Sequence, residues 1–281
     1  NFILEPEGRG TAPAIGLAAL HVQRRDPQAI LAILTADHFI SDTEQFCRAL
    51  TLAEKLADRG NLVTLGIRPA SASTGFGYIE HGSALGESAG FHFHTVKAFT
   101  EKPQLDEARK MAASGRYSWN SGMFIFQAGG MLEEFERQMP VFYTRLMDIK
   151  SSLGTSEYET VLESHWPAIE KQTIDYGVME GARRVVVIPV EIGWTDVGSW
   201  GSLFDFLPAD ASENVLVGEH LDIDTQRTLV FGKNRLVATL GVQDLIIVDT
   251  EDALLVCSRS HEQEVKQIVE KLQELQQSRL T

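Results

Sequence analysis

Val185-Val186-Val187-Ile188-Pro189-Val190, followed closely by Gly193-Trp194-Thr195-Asp196-Val197-Gly198-Ser199-Trp200, is the stretch that decides the fold. The first run has the apolar density and length of a buried strand, and the second turns sharply around an acid. Asp196 thus follows the carboxyl end of a strand, where open α/β sheets bind ligands. A similar run, Ala29-Ile30-Leu31-Ala32-Ile33-Leu34-Thr35, delivers Asp37 within Ala36-Asp37-His38. A lone loop aspartate is more often a helix N-cap or a turn residue. Two of them at the mouths of two buried strands fit one octahedral, oxygen-seeking cation such as Mg²⁺, with phosphates in its other positions.

Outward from these strands the same texture repeats. Phe2-Ile3-Leu4 reads as a strand, Glu5 to Pro13 as a loop rich in breakers, and the alanine-rich stretch to about Arg25 as a helix with Thr11 as N-cap and Pro13 in its first turn. Ser41-x-x-Glu44 has capping-box spacing for the next helix. Leu62 to Ile67 and Phe91 to Thr100 are further strands, and Gly115 is placed to stop a helix that begins at Gln104. Ser118 to Phe126 re-enters the sheet, with helices to about Trp166. Strands alternating with helices predict an α/β domain built on a mainly parallel, Rossmann-like sheet with helices on both faces, spanning residues 1–212. From residue 213 to 281 short β runs recur at Val215-Leu216-Val217, Thr228 to Phe231, Arg235 to Leu240, Leu245 to Val248 and Ala253 to Val256. Turns such as Gly232-Lys233-Asn234 separate them, which predicts a small β domain without crossover helices and with no strict repeat. A last helix, ending near Gln277, places Val265, Ile268, Val269, Leu272 and Leu275 on one face. Docking on the chain's own surface is the expected use of that face, and a homodimer contact is the alternative.

The 281 residues suffice for a full core, and the net charge of -14 excludes a nucleic-acid partner, since no Lys/Arg stripe is present to neutralise a phosphate backbone. Two cysteines, Cys47 and Cys257, lie far apart without metal-site spacing, so reduced thiols in a cytoplasmic setting are expected. No apolar stretch approaches the length of a membrane span, and no signal peptide opens the chain.

Seven motifs in order, Glu5 to Ala14, Ala36-Asp37-His38, Thr74-Gly75-Phe76-Gly77-Tyr78-Ile79, Thr100-Glu101-Lys102-Pro103, Trp119 to Phe124, Thr173 to Glu180 and Gly193 to Trp200, resemble the bacterial mannose-1-phosphate guanylyltransferases, a nucleotide-diphospho-sugar transferase family. The resemblance implies that GTP and α-D-mannose 1-phosphate are joined into GDP-mannose and diphosphate with Mg²⁺. It implies Asp37 and Asp196 as metal ligands, in agreement with their strand-end positions. Lys102 would hold the sugar phosphate as a compact charge. Glu101 and Asn120 would hydrogen-bond sugar hydroxyls, and Gly77 would offer its backbone N–H. Alone, Glu101-Lys102 would be a solvated strand end, Asn120 a turn residue and Gly75-Phe76-Gly77 a tight turn. Glu5 would accept from the guanine N1–H and amino group, with Gly10 and Thr11 closing over the base. Asp175 and Tyr176 mark the family without a chemical role beyond shaping the pocket floor.

The sequence departs from the family pattern in two ways. The N-terminal glycine-rich loop that cradles the triphosphate does not occur in these residues, which predicts a fragment of a longer enzyme, poorly active as it stands. Gly10 replaces the usual Asn and Phe76 a common Tyr, which bears on nucleotide selectivity. The isomerase domain fused to some relatives is also expected to be missing, giving a monofunctional transferase. Two rivals remain: a transferase for another nucleotide and hexose 1-phosphate pair, and a non-catalytic regulatory subunit that binds GDP-mannose.

Overall fold

The Val185–Val190 run is a strand, paired in parallel with Leu62–Ile67 along its whole length, Leu62 opposite Val185 and Ile67 opposite Val190. The computed structural model describes residues 2–275 apart from 199, 206 and 233. Ser199 of the 193–200 motif, Lys233 of the 232–234 turn and the helix end expected near Gln277 lie outside them. The chain divides into two units, residues 1–36 with 42–192, and residues 37–41 with 193–281.

In chain order the elements are α1 (Thr11–Arg25), β1 (Ile30–Ile33), β2 (Phe39–Ile40), α2 (Thr43–Ala57), β3 (Leu62–Ile67), β4 (Tyr78–Ser88), β5 (Phe91–Thr100), α3 (Leu105–Ser114), β6 (Tyr117–Gln127), α4 (Ala128–Gln138), α5 (Pro140–Ser152), α6 (Tyr158–His165), β7 (Val185–Val190) and β8 (Trp194–Thr195). In the first unit six strands lie in the order β1-β6-β3-β7-β5-β4. All six residues of β3 are buried, as expected for a strand covered on both faces. Buried side chains of α1, α4, α5 and α6, among them Leu20, Phe135, Leu146 and Leu162, join Trp166, Phe124 and Val185 in one core. Each large side chain buried there contributes about 1.5–3 kcal/mol relative to exposure. The buried Leu52, Ala53 and Leu56 of α2 lie outside that cluster, and α2 packs on β3 and β6.

The α/β sheet with flanking helices is as expected, but the sheet is mixed rather than mainly parallel. β6 runs antiparallel to both β1 and β3, and the β4–β5 hairpin adds three more antiparallel pairings, β4 with β5, β4 with β6 and β5 with β7. Three local expectations also shift. Among the described residues, 2–4 form no strand. The N-cap of α1 is Gly10, at φ 88 and ψ 176, while the Thr11 hydroxyl accepts from the Ile174 N–H at 2.9 Å. The N-cap of α2 is Asp42, whose carboxylate accepts from the Gln45 N–H, one residue beyond the expected Ser41. Gly115 ends α3 in the left-handed conformation, as its position predicts.

The second unit holds the β2–β8 ribbon, then β9 (Val215–Val217), β10 (His220–Ile223), β11 (Leu229–Gly232), β12 (Val237–Leu240), β13 (Leu245–Asp249) and β14 (Leu254–Ser258), and the closing helix α7 (Val265–Glu274). β9, β11 and β13 run parallel, as do β10 and β12, and β14 closes antiparallel on β13. His220 with Val237, Gln226 with Gln243 and Leu229 with Ile246 share one offset, so the chain winds as a parallel coil although no repeat shows in its residues. Fully buried Asn214 braces a corner, donating to Asp210 and to the Thr225 carbonyl and accepting from the Thr228 N–H. No described residue of α7 is buried, and Ile268, Val269 and Leu275 remain exposed, contrary to the expected docking on the chain's own surface. The apolar stripe is narrow and its neighbours are charged, so little burial is lost by leaving it in water.

Candidate active site

In the first unit three predicted residues converge where β4 begins. A Cβ placed on Gly77 would stand 2.5 Å from Glu101 Oε2 and 3.4 Å from Asn120 Cβ, so only glycine leaves the carboxylate where it is. The Asn120 N–H donates to the Gly77 carbonyl at 2.8 Å, fixing the start of β4 to the middle of β6. The Tyr78 hydroxyl donates back to the Ser73 carbonyl at 3.0 Å and closes the loop that carries Gly75 and Gly77. Glu101 is partly buried, and the exposed Lys102 ammonium lies 3.5 Å from its Oε1. Lys102 itself sits at φ 45, in the left-handed region.

Asn120 has a second partner that the sequence did not announce. Its Nδ2 donates to Asp175 Oδ1 at 2.6 Å, and its Oδ1 accepts from the Gly122 N–H at 3.2 Å. Asp175 opens a π-helical turn, Asp175–Met179, while Tyr176 points into solvent with 54% of its surface exposed. Glu180 follows the turn. Burial first, then the charges of Asp175 and Glu101, push its pKa above the ordinary carboxylate value. Asp175 thus stands between two neighbours, bonded to the Asn120 amide and within electrostatic reach of Glu180.

The segment from Glu5 to Thr11 is pinned to the residues just before that turn. Gln172 donates its N–H to the Arg9 carbonyl at 3.0 Å and accepts from the Ala12 N–H at 3.2 Å. Trp166 Nε1 donates to the Glu7 carbonyl at 2.8 Å. A Cβ on Gly10 would collide with the Gln172 carbonyl oxygen. The loop therefore needs glycine at position 10 for space as well as for its backbone angles. Glu5 accepts from the Arg9 N–H at 3.4 Å, a weak bond that leaves most of its carboxylate free.

In the second unit β2 and β8 pair antiparallel, with Phe39 opposite Thr195 and Ile40 opposite Trp194. Continuing that register places His38 opposite Asp196, and Asp37 emerges at the same end of the ribbon. Trp194 Nε1 donates to His38 Nδ1 at 2.9 Å, which leaves the ring proton on Nε2 in the neutral imidazole. Burial holds the His38 pKa below its ordinary value, while Asp37 and Asp196 both pull it upward, so both carboxylates lie within electrostatic reach of one ring. Asp196 Oδ1 also accepts from the Gly198 N–H at 3.3 Å. Among the described residues no group of three His, Cys, Asp or Glu side chains could hold a metal. Two oxygen donors suit a hard cation that keeps its other positions for phosphate and water, and would not suffice for an all-protein cage.

Sequence reasoning gave no role to His38, Gln172 or Glu180, although the motifs Ala36-Asp37-His38 and Thr173 to Glu180 contain two of them; no spacing signal marks Gln172.

The α/β fold with its flanking helices places the chain in a known family. The chain belongs to the nucleotidyl transferase family, whose model matches residues 1–213, and a mannose-phosphate isomerase/GMP-like β-helix domain matches residues 218–272. It is 40% identical over 275 residues, 97% of its length, to the mannose-1-phosphate guanylyltransferase of Escherichia coli K12. It is 38% identical over its whole length to the xanthan biosynthesis protein XanB of Xanthomonas campestris pv. campestris B100. A crystal structure from Thermus thermophilus, described as a mannose-1-phosphate geranyltransferase, matches 96% of this chain and 77% of that one at a TM-score of 0.85 and 34% identity. The chain spans 58–59% of the length of these two curated relatives. Nucleotidyl transferases of this family generally use a divalent metal. No described helix is long and apolar enough to cross a membrane.

Proposed function

We propose that the protein is a mannose-1-phosphate guanylyltransferase that converts GTP and α-D-mannose 1-phosphate into GDP-mannose and diphosphate. The observation that carries this reading is the convergence of Gly77, Glu101 and Asn120, in a chain 40% identical to an enzyme of that name. A phosphate oxygen of the sugar phosphate attacks the α-phosphorus of GTP, the new P–O bond forms as the α–β bridging bond breaks, and diphosphate leaves. Glu101 and Asn120 accept and donate hydrogen bonds to the sugar hydroxyls, and the Gly77 backbone closes the ring's edge. Lys102 neutralises the incoming phosphate and lines up its oxygen, which reduces the repulsion between two anions as they approach. Glu5 reads the guanine N1–H and amino group, with the Gly10 backbone and Thr11 beside it. The Thr11 hydroxyl oxygen already accepts from Ile174, so its own proton is the part left to donate.

Asp37 and Asp196 would hold Mg²⁺. When bound, the ion supplies charge neutralisation and alignment of the phosphates. A cytoplasmic setting belongs to the same reading, supported by two cysteines that are both free thiols.

The test is product analysis of the full-length protein with a panel of nucleoside triphosphates and hexose 1-phosphates. GTP with mannose 1-phosphate should have the highest kcat/KM, and preference for another pair would overturn the substrate assignment. Asp196→Asn should abolish turnover while a wild-type-like melting temperature is kept. Unchanged turnover would remove Asp196 from the chemistry.

A further inference from the structure

We propose that Asp175 is the positioning residue for sugar recognition: its carboxylate fixes the Asn120 side-chain amide in one orientation. This rests on the functional reading above. An asparagine amide is nearly symmetric in shape, so its two ends are distinguished only by their partners. Here both ends are specified. An ionised carboxylate can only accept, and Asp175 Oδ1 at 2.6 Å therefore demands the NH₂ end. The Gly122 N–H can only donate, and at 3.2 Å it demands the oxygen end. One Nδ2 proton and one Oδ1 lone pair are left for a sugar, in a fixed arrangement.

The turn that carries Asp175 is built to hold still. Ile174 just before it is buried, as are Val178 and Met179 within it. Its backbone is tied on both sides, with the Ile174 N–H on Thr11 Oγ1, the Gly177 N–H on the Thr173 carbonyl at 2.9 Å, and the Glu180 N–H on the Asp175 carbonyl at 3.0 Å. The last of these is the wide i to i+5 bond of a π turn, a local irregularity that recurs at functional sites. The Tyr176 N–H at the start of the turn donates to the Thr173 hydroxyl at 3.5 Å, while the Asp175 carboxylate takes the Asn120 amide. The Asp175 charge adds to the burial that already raises the pKa of Glu180. A carboxylate aimed at the side-chain amide of a neighbour that meets substrate, and not at its own backbone, points to recognition rather than to folding.

The experiment is a double-mutant cycle in the full-length protein with Asp175→Ala, Asn120→Ala, the two together, and Asp175→Asn. Readouts are kcat, the separate KM values for mannose 1-phosphate and GTP, and the melting temperature. Asp175→Ala should raise the KM for mannose 1-phosphate by ~10-fold, the scale of one lost charge-assisted bond, with the KM for GTP and the melting temperature little changed. Asp175→Asn keeps an acceptor oxygen and should restore most of that loss. In the Asn120→Ala background, Asp175→Ala should cost nothing further. Additive losses would overturn the proposal, because Asp175 would then touch substrate itself. So would equal effects on both KM values with a lowered melting temperature, the sign of a folding role.

A second measurement decides the matter even if no substrate pair is turned over. In ¹H–¹⁵N spectra of the substrate-free protein, the Asn120 side-chain amide should show slowed exchange that disappears in Asp175→Ala. An amide that exchanges freely in the wild type would overturn the proposal, whereas absence of turnover with the whole panel would overturn only the functional reading.

Discussion

Gly77→Ala separates the binding role of the β4 entrance from its role in folding. The backbone at Gly77 is not in the left-handed region, so alanine is allowed there. The new methyl would lie 2.5 Å from Glu101 Oε2, whereas unbonded atoms rest at about 3.5 Å, so the carboxylate must retreat by roughly 1 Å. Its other neighbour, Asn120 Cβ at 3.4 Å, is in ordinary contact and stays. Because the displaced atom ends a side chain rather than belonging to the backbone, stability should change by no more than about 0.5 kcal/mol. Recognition is less forgiving, and a 1 Å misplacement of a positioning group costs on the order of 100-fold. Steady-state kinetics of the full-length protein should therefore show kcat/KM for mannose 1-phosphate reduced by ~100-fold. The KM for GTP and the urea midpoint should be almost unmoved. If kcat/KM for the sugar phosphate stays within about threefold of wild type, Glu101 does not contact the sugar from the position that Gly77 leaves open. A large fall in the urea midpoint would show instead that the methyl disturbs backbone.

Gly10→Ala should behave in the opposite way. At φ 88 and ψ 176 only glycine is at ease, and the methyl meets a carbonyl oxygen that already holds the Ala12 N–H, so a loss of about 2–4 kcal/mol is expected by urea denaturation. A loss below about 1 kcal/mol would mean that the loop takes another path. His81 is half-buried, its ring stacked on His94 with centroids 5.2 Å apart, and its pKa is lowered to about 4 from 6.5, by burial first and then by His94. Its neutral form therefore contributes stability that is present above pH 6.5 and lost as pH falls toward 4. His81→Gln, which retains a partner for the Ser118 hydroxyl, should flatten melting temperature against pH in that window by up to one proton's worth of slope. Glu180 has a raised pKa, so the stability of its neutral form is present below the ordinary carboxylate range and lost as pH rises through the folded value. Glu180→Gln should accordingly melt higher than wild type at pH 7, with the difference closing below about pH 4; an equal gap at both values would assign the gain to something other than charge.

How far the sequence reaches depends on whether a residue's partners lie nearby in the chain. β7 and β9 are legible to the residue because they are continuous apolar runs, and β5 is legible although polar side chains interrupt it. β4 was not read as a strand, since Tyr78-Ile79 stood out only as the end of a glycine-rich turn motif. Its remainder, Glu80 to Ser88, is half-exposed and slips register against β5 at three places, so the alternation that marks a strand is lost. Caps moved by one residue where two candidates adjoin, and the tie was broken from afar: Ile174 claims the Thr11 hydroxyl, leaving Gly10 at the cap. The parallel coil of the second unit rests on backbone pairing between unlike residues, which leaves no repeat to see. In the candidate site, Gly77, Glu101 and Asn120 were legible through their motifs. Asp175 was quoted in a motif too, but its partner lies 55 residues away, and nothing in either segment alone shows that the two meet.

Two strained residues connect the backbone to the chemistry. Seven described residues other than glycine have positive φ; Ala89, Glu213, Asp224, Arg227 and Asp244 lie at turns or bends, and the other two are Lys102 and Val197, each directly after a candidate acid. Such angles cost about 1–3 kcal/mol, and a β-branched residue such as Val197 is poorly suited to them. At Lys102 the bend has a clear effect. Successive side chains on a strand point to opposite faces, so an unbroken β5 would send Glu101 and Lys102 apart. The left-handed step lets the ammonium come within 3.5 Å of the Glu101 carboxylate, so the acid and the cation sit on one side. At Val197 the bend follows Asp196 and lets the Gly198 N–H reach back to its carboxylate at 3.3 Å, holding that acid at the end of the ribbon. A glycine at either position would relieve the strain and loosen the geometry. The strain is therefore retained where an acid has to be aimed, and the five other positive-φ residues turn corners that carry no candidate chemistry.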